Sequence, residues 1–219
     1  FILWKPRDVV GGDFYVYREQ ADGYLIGVVD CAGHGVPGAL MTMLARAAID
    51  HAIEAVGSRD PAAILGETDQ AMRSMLSQEQ IPQALATNMD AGLVWVDRRR
   101  RQLAFAGAKI SLYASDGEEV QELKGARRAI GDKRRGDYRN IEVPLAPGWT
   151  FYLSTDGFLD QAGGEHGFGF GSRRFADMLR DHARQPLPEQ AEAFVATLAE
   201  YQGEHPQRDD ITILSFRFD

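Results

Sequence analysis

Val28-Val29-Asp30-Cys31-Ala32-Gly33-His34-Gly35 is the stretch from which the rest of the chain is read. Residues 24–29 are an apolar run of strand length that stops at an aspartate and a glycine-rich turn. Val36, Leu40, Met43, Leu44, Ala47, Ala48 and Ile49 then recur near the 3.6-residue spacing of a helix. A buried strand with a carboxylate at its tip offers hard oxygen to a cation, and Gly33 and Gly35 let main chain approach whatever is bound. Taken alone, an aspartate in this place is more often a helix cap than a ligand.

Three further acidic positions repeat the pattern. Gly11-Gly12-Asp13 precedes a short strand at 14–17, Thr155-Asp156-Gly157 closes an apolar strand at 149–154, and Asp209-Asp210-Ile211-Thr212 opens the last strand at 211–218. Carboxylates at strand ends beside glycine suit Mg²⁺ or Mn²⁺. Two such ions about 4 Å apart suit phosphate chemistry.

The ordered set Gly-Gly-Asp, Asp-x-x-Gly-His-Gly, Thr-Asp-Gly, Asp-Asp-x-Thr resembles the bacterial metal-dependent Ser/Thr phosphatases of the PPM (PP2C-like) class. The branch it looks most like is that of the sporulation-E and Rsb-type phosphatases of partner switching, and within it the SiaA-type phosphatase domains. The resemblance runs from Val10 to Phe218, nearly the whole chain. It implies an α+β fold, a PP2C-like α/β/β/α sandwich of two packed antiparallel sheets flanked by helix pairs.

The 219 residues make one domain the default, large enough to bury a core, and the hydrophobic content of 44% supports folding. A net charge of −8 argues against nucleic acid or an anionic membrane surface as the main partner. Arg98 to Arg101 reads as a solvated hairpin turn between two strands. The single cysteine, Cys31, rules out an internal disulfide and fits a reducing compartment. Ala32 to Val36 supplies no arginine for a cysteine-phosphatase loop, so Cys31 reads as a small buried residue. No apolar stretch approaches the ~18 residues that span a bilayer. The chain opens on Phe1-Ile2-Leu3-Trp4 without an initiator methionine. It is therefore expected to be a single phosphatase domain (1–219) excised from a longer protein with N-terminal sensory or linker modules. The resemblance implies a cytoplasmic domain, with some parents anchored in the inner membrane.

Strands are expected at 14–18 and 24–29, joined by a hairpin with an Asp22-Gly23 signal. That hairpin places Asp13 and Asp30 at one end of a sheet. Helices are expected at 36–56 and, after the Asp60-Pro61 start, at 61–77, with Met41, Met43, Met72 and Met75 filling core. Antiparallel strands are expected at 85–96, 102–105, 110–114, 119–122 and 137–143, and helices at 172–182 and 188–202. The basic residues between Lys124 and Arg139 read as a solvated loop, with docking of an acidic phosphoprotein the minority alternative. Residues 163–171 carry five glycines in nine positions and read as a mobile loop without P-loop spacing. Asp90 lies in a strand, from which it could approach the cations.

The roles implied by the resemblance are as follows. Two divalent cations, Mn²⁺ or Mg²⁺, hold a bridging water that attacks phosphorus in line. Asp30 bridges both ions, the Cys31 carbonyl is a further ligand, Asp13 holds one ion, and Asp156 and Asp209 hold the other, with Asp210 the alternative to Asp209. His34 is the candidate acid for the leaving oxygen, and Arg7 the candidate phosphate contact. Many relatives carry an acidic third-metal ligand where Ala108 and Lys109 stand, which argues for two ions here. His51, His166, His182 and His205 show no zinc spacing. The implied substrate is phosphoserine or phosphothreonine on a STAS-type partner-switching protein. Homodimerisation through the missing N-terminal linker is also implied. The alternatives are a catalytically silent phosphoprotein-binding module and a metal-dependent nucleotidyl transferase or cyclase, the latter lacking a triphosphate loop.

Overall fold

The computed structural model describes residues 1–78 and 88–218. In chain order the elements are β1 (Ile2–Lys5), β2 (Asp13–Gln20), β3 (Gly23–Cys31), α1 (Gly35–Val56), α2 (Pro61–Gln78), β4 (Met89–Asp97), β5 (Gln102–Ala108), β6 (Leu112–Ser115), β7 (Val120–Leu123), β8 (Ile141–Pro144), β9 (Thr150–Ser154), α3 (Gly157–Asp160), β10 (Ala162–Gly163), β11 (Phe168–Gly169), α4 (Gly171–His182), α5 (Leu187–Gln202) and β12 (Ile211–Arg217). One five-stranded antiparallel sheet runs β2-β3-β4-β5-β8 and the other β1-β12-β9-β6-β7.

The apolar runs are continuous rather than alternating because the inner strands are buried on both faces. In β3 and β4, Ile26, Val28, Val94 and Val96 point between the sheets, where they meet Phe105, Phe151, Leu153, Leu214 and Phe216. Leu25, Val29, Leu93 and Trp95 point the other way, onto Met41, Ala45, Ile49, Leu65 and Met72 of α1 and α2. On the second sheet Tyr152, Ile211 and Ile213 pack against Phe175, Leu179, Phe194 and Leu198 of α4 and α5. The result is the helix–sheet–sheet–helix layering that the family resemblance implied.

The second helix starts as its cap signal requires: Asp60 Oδ1 accepts the Ala63 amide at 3.0 Å. Met41 and Met72 fill core as expected, whereas Met43 is exposed. The Arg98–Arg101 segment is a turn, with the Arg99 and Arg100 amides on Asp97 Oδ1.

Three strand and loop expectations need correction, and one further strand was not expected. The strand expected at 137–143 is only Ile141–Pro144. Asn140 instead takes the Ala62 amide and donates to Asp60, and Tyr138 donates to the Ala129 carbonyl. The strand expected to begin at Ile110 begins at Leu112, because Lys109 turns the chain with φ +64°. Residues 163–171 include a short hairpin, β10 against β11, whose Phe168 and Gly169 carbonyls accept the Tyr201 hydroxyl. β1 was not anticipated; it pairs with β12 at the sheet edge, Ile2 opposite Leu214. Residues 85–87, expected to begin the strand that the structure starts at Met89, lie outside the described residues.

A buried polar network fixes the second helical layer. The Tyr152 hydroxyl donates to Gln190 Oε1 at 2.9 Å, and Gln190 Nε2 donates to the Ala183 and Gln185 carbonyls. Tyr152→Phe leaves that amide oxygen without its donor. It is expected to cost about 1–3 kcal/mol and to lower the melting temperature by roughly 2–4 °C per kcal/mol. Thermal unfolding by circular dichroism checks this.

Candidate functional site

The hairpin between β2 and β3 turns through Ala21-Asp22, with Gln20 opposite Gly23. Gly23 is required there, because an added Cβ would lie 2.0 Å from the Val96 carbonyl oxygen. The resulting register sets Asp13 opposite Asp30. The next pair of strands sets Asp30 opposite Asp90. Directly opposed residues share a face of the sheet, so three carboxylates form one row across β2, β3 and β4. Like charges in such pairs are destabilising unless something offsets them.

The second sheet brings the remaining acids. β9 and β12 are antiparallel neighbours with Ser154 opposite Ile213, so Asp156 just after β9 and Asp209-Asp210 just before β12 share an end. Threonines beside these acids stitch the two sheets together. Thr155 Oγ1 and Thr212 Oγ1 both donate to Asp13 Oδ2 at 2.7 Å. Asp210 does a different job: Oδ1 takes the Arg7 amide at 2.7 Å and Oδ2 the Gly12 amide at 2.6 Å. The Gly-Gly pair is a steric need of this arrangement. A Cβ on Gly11 would lie 2.6 Å from the Asp210 carboxylate, and one on Gly12 would lie 2.6 Å from the Cys31 and Gly33 carbonyl oxygens.

Burial is the main force on these acids. It pushes the Asp30 carboxyl well above the usual carboxylate range, and the charges of Asp13, Asp156, Asp90 and Asp209 push the same way. Asp13 is raised by burial against the opposing pull of its two threonine donors. Asp156 is raised by burial, then by Asp160 and Asp209. Asp90 is raised by burial and held back by Lys109, whose Nζ lies 2.7 Å from Asp90 Oδ2.

The other sequence candidates fall as follows. Cys31 is buried, and burial and then Asp30 push its thiol up to about 12. That keeps it protonated at neutral pH and leaves no thiolate nucleophile. His34 immediately precedes α1 at its N-cap, and its Nδ1 lies 3.0 Å from Asp8 Oδ2. Arg7 Nη1 donates to the Arg208 carbonyl at 3.0 Å, fastening the N-terminal segment to the chain before β12. Several basic side chains between Lys124 and Arg139 are paired locally, Arg128 with Asp132 and Arg139 with Asp137. Sequence reading gave no role to Asp8, Thr155, Thr212 or a cationic Lys109. The two threonines lie inside the motifs, one beside and one two residues from an aspartate, and so were open to notice.

As placed, no three His, Cys, Asp or Glu side chains among the described residues converge closely enough to hold a metal ion. Asp13 is turned onto two hydroxyls and Asp210 onto two amides. The donor set is nonetheless the right kind for a hard divalent cation: oxygen only, clustered, and short of compensating charge. Among the described residues no donor hydrogen-bonds the Asp30 or Asp156 carboxylate, which leaves their oxygens for a ligand. A cleft of about 190 Å³ opens beside them, lined by Asp30, Asp90, Asp156, Lys109, Ser111 and Tyr113 among others.

The chain is similar to known proteins over nearly its whole length. Residues 20–219 match the family model described as Stage II sporulation protein E (SpoIIE). The chain is 23% identical to the phosphoserine phosphatase RsbP of Bacillus subtilis (strain 168) over 211 residues, covering 94% of this chain and 49% of RsbP. It thus spans about half that relative's length. The SiaA-PP2C domain of Pseudomonas aeruginosa is 94% identical with a TM-score of 0.93, over 100% of this chain and 84% of that one. RsbX in complex with magnesium shares the fold at 16% identity, with a TM-score of 0.66 over 98% of this chain and 92% of that one.

Proposed function

The chain belongs to the stage II sporulation protein E (SpoIIE) family of PP2C-type phosphatases, and from that premise we propose that it hydrolyses phosphoserine or phosphothreonine on a STAS-type partner-switching protein. Two divalent cations, Mn²⁺ or Mg²⁺, serve the reaction, held by Asp13, Asp30, Asp156 and Asp209 with the Cys31 carbonyl. The observation that carries this reading is the row in which Asp13 stands opposite Asp30. Burial raises both acids, and a second acidic strand end faces them. A fold keeps such uncompensated carboxylates at a cost to its stability, and cations recover that cost. RsbX, of the same fold, binds magnesium.

When bound, the ions supply Lewis-acid charge that lowers the pKa of the attacking water and offsets charge on the phosphoryl oxygens. Asp30, opposite Asp13 in its sheet, would be the ligand shared by the two ions. Thr155 and Thr212 hold Asp13 in one orientation. Asp210 works as a strut, keeping Gly12 and Arg7 against the second sheet, which leaves Asp209 as the ligand of that pair. As water adds to phosphorus and the phosphorus–oxygen ester bond breaks, the departing serine or threonine oxygen takes a proton from His34 Nε2. Nδ1 of the same ring is kept on Asp8.

The test is phosphate release from a phosphorylated STAS protein and from an aryl phosphate, each with Mn²⁺, with EDTA, and with Asp30→Ala. Manganese-dependent turnover of both, lost with EDTA and in the variant, is expected. Bound manganese without any turnover sinks the hydrolytic reading in favour of a binding module. Turnover of the aryl ester alone sinks the proposed protein substrate.

A further inference from the structure

We propose that Lys109 is the side chain that contacts the phosphate of the substrate, a reading that rests on the phosphomonoester chemistry proposed above. The cleft beside Asp30 and Asp156 is lined by four acids, Asp30, Asp90, Glu122 and Asp156. Among the described residues lining it, Lys109 is the only base. A phosphomonoester dianion that enters such a cleft meets carboxylates on every side, so a fixed cation there decides whether it can bind.

Lys109 is placed for that work rather than left to the solvent. Its Nζ lies 2.7 Å from Asp90 Oδ2, with Asp90 the residue opposite Asp30 in the sheet. An ammonium has three donors, and this contact uses one. The lysine side chain is 48% exposed while its anchor Asp90 is 18% exposed, so the remaining donors stay within reach of a ligand. The charges of Asp156 and Asp30 also act on the ammonium.

The main chain is built around the same position. Lys109 has φ +64°, a left-handed conformation that disfavours any residue with a Cβ and that recurs at functional sites. Its amide donates to the Ala126 carbonyl at 2.7 Å, and the Ala126 amide donates to Gly107 at 2.7 Å. Gly107 and Gly125 have no room for a side chain: an added Cβ would lie 2.1 Å and 2.3 Å from the Ile110 carbonyl oxygen. The turn therefore holds Lys109 at the cleft wall from both sides. A lysine that only neutralised Asp90 would affect stability and cation affinity, but not phosphate affinity.

Inorganic phosphate titrated calorimetrically into the magnesium-loaded protein separates these roles without relying on turnover. Lys109→Met is expected to weaken phosphate binding by about tenfold or more, the value of a charge-assisted contact, while Lys109→Arg stays within about threefold of wild type. Magnesium affinity in Lys109→Met should hold or improve, because a neighbouring positive charge is gone. The KM for an aryl phosphate should rise in parallel with the loss of phosphate affinity. If Lys109→Met does not fold, Lys109→Gln is read in the same way. Unchanged phosphate affinity in the folded Met or Gln variant, or no phosphate binding by the wild type, overturns the assignment. Turnover that is indifferent to Lys109 overturns Lys109 alone. Lys109-dependent phosphate binding by a wild type that never turns over overturns hydrolysis and keeps the contact.

Discussion

Asp30→Asn is expected to cut manganese-dependent phosphate release at least about a thousandfold, which corresponds to the several kcal/mol that cations contribute to such reactions. The same substitution is expected to raise the melting temperature of the metal-free protein. The two effects have one cause. Asp30 is half-buried, faces Asp13 and Asp90 across neighbouring strands, and is hydrogen-bonded by no donor among the described residues. Its charge is therefore a burden on the empty fold and an asset once cations are present. Asparagine keeps the shape and removes the charge. A merely structural aspartate would behave the other way, losing stability on substitution with little loss of turnover. Phosphate release, together with thermal unfolding in EDTA and in Mn²⁺, checks both halves. A metal-free Asp30→Asn protein that melts below wild type at pH 8 would count against the electrostatic account.

Cation loading is expected to raise the melting temperature, and by more at pH 8.5 than at pH 5.5. At a free cation concentration a hundred times its dissociation constant the gain is about 2.7 kcal/mol, or roughly 5–10 °C for a domain of this size. The sign of the pH dependence follows from the raised carboxyls. Asp13, Asp30 and Asp156 all sit above the usual carboxylate range, so the metal-free fold favours their protonated forms. Their contribution to stability is fully present below the ordinary carboxylate pKa of about 4. It is lost as pH rises through the raised folded values. The metal-free protein should therefore melt lower at pH 8.5 than at pH 5.5. Cations that displace those protons bind more tightly at the higher pH, so the loaded and empty curves diverge. Scanning calorimetry across that range, with and without EDTA, measures the divergence; parallel curves would contradict it.

Much of the fold was open to sequence reading because its signals are short-range. The β2–β3 hairpin follows from a turn between two strand-length runs, and its register alone sets Asp13 opposite Asp30. The paired helices announce themselves through apolar spacing and the Asp60-Pro61 start, and both lie within a residue of the expected bounds. The acidic strand ends were found because each is a local motif.

Sequence by itself thus determined most of the element order and where the acids fall along the chain, and the family resemblance supplied the layered class. Tertiary structure alone decided how those acids differ. Asp210 resembles Asp209 in sequence, yet its two oxygens are taken by amides from the far end of the chain. Asp90 becomes a neighbour of Asp30, and Lys109 its partner, only through pairing of strands that no local pattern links. β1 exists because β12 offers an edge to it, and the expected strand at 137–140 fails because Asn140 serves a helix start instead. The physical reason is range. Turn chemistry and periodicity act over a few residues, whereas burial, desolvation and the donor that reaches a carboxylate depend on how two sheets close on each other.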